Sequence, residues 1–165
     1  MATTTPTSSA PAGVSDLLAS LLESTMNSVF RFMGEGSPYL SRATAEVRRP
    51  LQEMVVANQR RAGELASLLE SLGAPTTVQL SPQPNEQYLA YLSLKFLLPK
   101  LVDEKKICLA RYANAFAAVK GFPQVPADVP ALLAAHKAEQ EHELAALQHA
   151  AAHVAATNGK KPANP

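Results

Sequence analysis

Asn58-Gln-Arg-Arg-Ala-Gly-Glu-Leu-Ala-Ser-Leu-Leu-Glu-Ser-Leu-Gly73 is the stretch that decides how this chain folds. Leu65, Leu68, Leu69 and Leu72 recur at spacings of three and four, the period of one face of an α-helix, and Gly73 stops that helix as a left-handed cap. Upstream, Leu51, Met54 and Val55 extend the same stripe. The gap between the two apolar parts is filled by Asn58, Arg61 and Ala62. Periodicity therefore aims an amide and a guanidinium inward, where burial is costly unless each group is paired. An acidic partner is expected opposite them. The alternative is a twist of the helix that lets Arg61 snorkel to the surface.

Working outward, the sequence predicts four helical stretches. Helix A runs from Val14 to Met33, starting at Ser15–Asp16 and stopping at Gly34-Glu-Gly36. Ser37–Pro38 reads as cap and first residue of helix B, which continues to Leu72 with a kink or split at Pro50. Helix C covers Asn85 to Val119, is disturbed by Pro99 and stops at Gly121. Helix D begins at Ala127–Asp128 and runs to Ala156. Residues 1–13 and 157–165 have the composition of disordered tails, leaving one domain over 14–156. The A–B and C–D links are short and force antiparallel neighbours. The B–C link, with Pro75, Pro82 and Pro84, spans nearly 40 Å when extended at ~3.3 Å per residue, about the length of a helical bundle. Short, long, short predicts an all-α, antiparallel four-helix bundle with a long B–C crossover. Leu17–Glu23 with Arg31–Phe32 also lies over Leu97–Asp103 with Arg111–Tyr112, as a repeated helical pair would.

Composition agrees with helices and narrows the function. Hydrophobic residues make up 47% of the 165 and aromatics 5%, with no Trp. The net charge is +1, with Lys and Arg scattered among the acids, so neither nucleic acid nor an anionic membrane surface is an expected partner. No apolar run approaches the ~20 residues of a membrane span. The N-terminus lacks a basic start and an apolar core, so a cytoplasmic protein is expected. The single cysteine, Cys108, has no partner for an internal disulfide and reads as a buried thiol. Gly-rich phosphate loops, nucleophile elbows and Cys-based metal motifs are missing.

The remaining polar candidates lie on helices A, C and D. Glu23 borders the apolar face shared by Ala19, Met26 and Phe30. Glu104 follows Leu97 and Leu101 and precedes Cys108 and Arg111, with Asp103 as the alternative acid. Glu139 and His142 form a Glu-x-x-His pair, some 60° apart at about 100° per residue. His136 with Glu139 and Glu143 is a second set on one face. His149 and His153, at i and i+4, have a spacing that suits a transition metal, but with only two ligands and no acid nearby in sequence an exposed helix end is the expected reading.

These residues resemble those of the ferritin-like proteins. The stretch Asn58–Gly73 is similar to the second helix of that family, where a Glu-x-x-His pair precedes a leucine-rich run ending in Leu-Gly. Such bundles take one carboxylate from each of two helices and a Glu-x-x-His motif from each of the other two. Glu23 matches the first-helix carboxylate, Glu104 the third-helix one, and Glu139 with His142 the fourth-helix motif. The spacing agrees: Asn58 stands 35 positions after Glu23, and Glu139 stands 35 after Glu104. The departure is in helix B, where Asn58 and Arg61 replace a carboxylate and an imidazole. Arginine stays protonated and cannot ligate a metal. The resemblance thus implies a degenerate di-iron site without a cofactor, with Arg61 forking to carboxylates such as Glu23 or Glu139 in place of a metal. The expected role is a non-catalytic bundle for binding or assembly, with homodimers or another protein as partner through its helical faces. One alternative is a metal-binding oxidoreductase or storage protein, holding iron or manganese on Glu23, Glu104, Glu139 and His142. Another is an unrelated helical adaptor.

Overall fold

The computed structural model describes residues 12–33, 43–80 and 88–159. All regular structure among them is helical: α1 (Ala12–Met26), α2 (Val29–Met33), α3 (Ala45–Ser71), a 3-10 turn at Tyr88–Tyr91, α4 (Leu94–Val119) and α5 (Asp128–Gly159). Most of both expected tails, the stop at Gly34–Gly36, the Ser37–Pro38 cap and the Asn85 start lie outside the described residues. Within them, α1 begins two residues before the expected Val14 and α5 outruns the expected Ala156. The third helix starts at Leu94, with the 3-10 turn ahead of it.

Where the sequence predicts one unbroken helix A, the chain breaks at Asn27–Ser28. The reason is local. Thr25 and Ser24 both turn their hydroxyls back onto the Leu21 carbonyl, at 2.8 and 3.0 Å, a habit that bends helices. The next amide tightens to an i→i−3 bond, Ser28 N–H to Thr25 O at 3.4 Å. The Asn58 amide nitrogen then donates to the same Thr25 carbonyl at 3.1 Å, pinning the break from α3.

The two interior prolines leave their helices whole. Pro50 is the sixth residue of α3 and Pro99 the sixth of α4. Each proline ring denies a hydrogen bond to the carbonyl four residues earlier, on Glu46 and Lys95. Both of those residues are exposed, so the missing bonds fall at the surface and not in the core. At its far end α3 closes as the sequence predicts. Gly73 has φ +70°, and the amides of Gly73 and Ala74 bond to the carbonyls of Glu70 and Leu69, both at 3.0 Å, a Schellman cap.

Packing divides the interior into two apolar clusters. One gathers Val14, Leu18, Leu65, Leu69, Val119 and Leu133. The other gathers Phe30, Leu51, Met54, Leu98, Leu101 and Leu147. α3, α4 and α5 each contribute to both, while α1 lies in the first and α2 in the second, so the clusters also give chain direction. α1 with α2, and α5, run from the first cluster to the second, and α3 and α4 run back. The main contacts join α1 to α3, α3 to α5, α5 to α4 and α4 to α1, each pair running in opposite senses. The chain leaves α3 beside the first cluster and enters α4 beside the second, so the ends of the link between them lie at different clusters. Asn27 holds this link part-way along, through the Gln79 carbonyl at 3.1 Å. Between the clusters, at mid-height in every helix, the buried residues turn polar: Thr25, Ser28, Asn58, Arg61, Lys105, His136 and Gln140.

Candidate functional site

Among the described residues, that polar waist is where the interior departs from an apolar core, and it is built around α3. Asn58 and Arg61 stand one turn apart on the helix face that continues as Leu65 and Leu69, so both go inward with it. Arg61 is 1% exposed. Its guanidinium forks onto Glu143 of α5, Nη1 to Oε1 at 2.8 Å and Nη2 to Oε2 at 3.0 Å, and Nη1 also reaches Glu139 at 3.3 Å. The bidentate pair is the strongest form such a contact takes.

A second buried cation shares the same acid. Lys105 of α4, also 1% exposed, places Nζ 2.6 Å from Glu143 Oε2 and 4.1 Å from the centre of the Phe30 ring. Burial lowers the ammonium's pKa, and the charge and hydrogen bond of Glu143 oppose that effect. One carboxylate thus balances two cations, with Glu139 as the additional acid. Glu139 is held from outside by Arg60 at 2.5 Å, and Arg60 also grips Glu64 at 2.9 and 3.0 Å.

Glu64 carries the network on to an imidazole. His136 of α5 is 1% exposed, with Nε2 2.6 Å from Glu64 and Nδ1 3.3 Å from the Tyr112 hydroxyl. Burial pushes the imidazole's pKa down although Glu64 pulls it up. A neutral ring fits both contacts: the carboxylate only accepts, so Nε2 donates to it, and Nδ1 accepts from the phenol. The His136 bond is also the largest cause of the lowered Glu64 pKa, and burial keeps Tyr112 protonated. One polar chain therefore runs Lys105–Glu143–Arg61–Glu139–Arg60–Glu64–His136–Tyr112. Beside it, Asn58 bonds to α1 through the Thr25 carbonyl and the Ser28 hydroxyl, the latter at 3.4 Å. Gln140 is buried in the same layer, and its Nε2 has no partner among the described residues.

The structure brings only part of the expected set together. Arg61 meets Glu139 as anticipated, and Asn58 is buried a turn away. Glu23 does not reach Arg61. It is exposed, because the inward stripe of α1 passes through Leu18, Leu21, Leu22 and Thr25. Glu104 is half-buried and Asp103 exposed, which answers which of the two turns toward a neighbouring helix. Glu23 and Glu104 line a groove of about 710 Å³ between α1 and α4, together with Cys108 and Arg111. His142 is exposed: Leu133, His136, Gln140 and Leu147 form the inward stripe of α5, and the position that completes it is Glu143. His149 and His153 are exposed as well.

Glu64, Lys105, His136 and Glu143 are thus the waist residues that the Glu-x-x-His reading omits. Two had a signal, since His136 and Glu143 share a face with Glu139. Lys105 had one too, standing three and four residues after Val102 and Leu101 on the apolar face of α4.

As a metal centre the residues do not fit. Among the described residues, no three His, Cys, Asp or Glu side chains come together to hold an ion. The four that the resemblance assigns are divided between two grooves: Glu23 and Glu104 line the α1–α4 groove, and Glu139 and His142 the α3–α5 groove, where Glu139 is already paired with arginines. The Cys108 thiol is no better nucleophile, since burial raises its pKa. Compared with models of known families, with curated proteins and with solved structures, the chain matches none. The resemblance to ferritin-like proteins stands on its residues alone.

Proposed function

We propose that the chain is a ferritin-like, antiparallel four-helix bundle in which a layer of ion pairs replaces the metal centre, and that it serves binding or assembly rather than catalysis. The observation that carries this reading is Arg61, fully buried at mid-height and forked onto Glu143, with the Lys105 ammonium on the same carboxylate. Two protonated side chains supply the positive charge that metal ions bring to the carboxylates of such bundles. The long link from α3 to α4 and the inward position of Asn58 support the same ancestry. No described helix is long and apolar enough to cross a membrane, and the cytoplasm is the proposed location. Assembly as a homodimer is supported by Tyr91, Phe96 and Ile107, large apolar side chains left 68%, 60% and 45% exposed on and just before α4.

Metal analysis tests the proposal. Protein purified after growth in iron- and manganese-supplemented medium is expected to carry neither metal in stoichiometric amount, and adding ferrous iron followed by air is expected to give no ferric absorbance. Two irons per chain would overturn it.

A further inference from the structure

The groove between α1 and α4 contains charges of both signs that the protein itself leaves unused. Its walls are Leu17, Leu21, Ala115 and Ala118 toward one end, and Ser24, Asn27, Ser28 and Asn114 elsewhere. Within it stand Glu23, Glu104 and Arg111. Among the described residues no hydrogen bond or ion pair holds any of these three side chains. In the α3–α5 groove, by contrast, Arg60 and Glu139 are paired with each other. A concave site with low-dielectric walls strengthens the attraction of unpaired charges for a ligand. The volume, about 710 Å³, falls in the range of small-molecule sites.

The spacing of the charges sets the ligand class. Glu104, Cys108 and Arg111 lie on one face of α4, and both charged groups act electrostatically on the Cys108 thiol between them. The carboxylate and guanidinium start two turns apart, about 10 Å along the axis. A molecule that satisfies both must present an ammonium and a carboxylate about that far apart. We infer that the α1–α4 groove binds a small zwitterion of the short-peptide class, its carboxylate on Arg111 and its ammonium on Glu104, with Glu23 reinforcing the negative side. An extended tripeptide spans about 10 Å between its termini and fits this requirement. This site shares no residue with the Arg61 layer and stands whether or not that layer has replaced a metal.

Triglycine is the probe, titrated into the full chain and followed by amide NMR shifts. Saturable shifts confined to residues 17–28 and 104–118 are expected, with a Kd of millimolar order or tighter. N-acetyl-triglycine and triglycine amide, each lacking one charge, should bind about tenfold more weakly or not at all, as triglycine should to Arg111→Ala and Glu104→Gln. Both variants should keep the wild-type helical spectrum, since neither side chain holds a partner. Absence of saturable shifts at about 10 mM triglycine, equal binding of the capped peptides, or unchanged affinity in both variants would overturn the inference. Iron in the protein alongside triglycine binding would refute the proposed function and leave this site intact.

Discussion

The α3–α5 seam and the α1–α4 seam carry the same kinds of side chain and treat them in opposite ways. On the first, Arg60, Arg61, Glu64, His136, Glu139 and Glu143 are knitted into one another at 2.5 to 3.3 Å. On the second, Glu23, Glu104 and Arg111 stand around an open groove without a partner among the described residues. Burial accounts for the difference. Arg61 is 1% exposed and has no water to fall back on, so the fold surrounds it with acids, whereas Glu23 remains solvated. The closed seam is a matter of stability and the open one is free for binding. Each can be tested by asking what a single deletion costs.

The largest effect is expected at Glu143. Replacing it with Leu leaves Arg61 and Lys105 buried without their shared carboxylate, and loss of about 3–5 kcal/mol should follow in chemical denaturation. The triple exchange Arg61→Met, Lys105→Met and Glu143→Leu removes the cations with the anion, and should recover most of that loss or exceed wild-type stability. A triple variant no more stable than Glu143→Leu would mean that the layer does more than neutralise itself. Next comes Asn58→Ala, which leaves the Thr25 carbonyl at the α1–α2 break with only the long bond from the Ser28 amide and removes the acceptor of the Ser28 hydroxyl. About 1–3 kcal/mol should be lost, with amide exchange rising first around residues 25–31.

How far the sequence could foresee this contrast depended on periodicity. Asn58 and Arg61 interrupt a leucine stripe, so their inward position and the need for an acid opposite were legible. So was the C-cap at Gly73, because only a residue tolerant of φ +70° ends a helix that way. Which acid answers Arg61 was not legible. Glu143 and His142 are adjacent, and a rotation of α5 by one residue exchanges them; the apolar stripe from Leu133 to Leu147, rather than the Glu-x-x-His spacing, decides for Glu143. The break at Asn27–Ser28 was hidden for another reason. It arises from hydroxyl groups bonding backward and from a side chain 33 positions away, a tertiary contact that local propensity does not encode. For Lys105 the apolar face of α4 was a signal, but its partners Phe30 and Glu143 come from other helices and local pattern does not name them.

Acid should loosen the closed seam in two stages. The unfolded chain takes up a proton on its histidine near 6.5, while burial delays protonation of His136 in the folded protein. Below 6.5 the unfolded state therefore binds more protons, and stability falls with falling pH, by at most about 1.4 kcal/mol per pH unit for one proton. Glu64, whose folded pKa lies below 4.5, adds a second loss of the same sign once pH drops past that value. The groups facing this pair are Tyr112, Arg60, Arg61 and Glu139; the pKa values of Tyr112 and Arg60 are raised, away from this range, by burial and by the bond to Glu64 respectively. Denaturation midpoints from pH 8 to 5 should slope downward in the wild type and flatten in His136→Phe. An unchanged slope in that variant would put the titration elsewhere.

The smallest effect, and the sharpest discriminator, belongs to the open seam. Because Glu23, Glu104 and Arg111 hold no partner, Glu23→Gln, Glu104→Gln and Arg111→Ala should each shift folding free energy by no more than about 0.5 kcal/mol. The same removal of charge at Glu143, on the other side of the molecule, is expected to cost several times as much. A loss of about 2 kcal/mol or more at Arg111 would show that the groove closes in solution onto its own acids, erasing the distinction between the two seams. A null result in stability, joined to a loss of triglycine binding, would separate the residues that hold this fold together from those it keeps available.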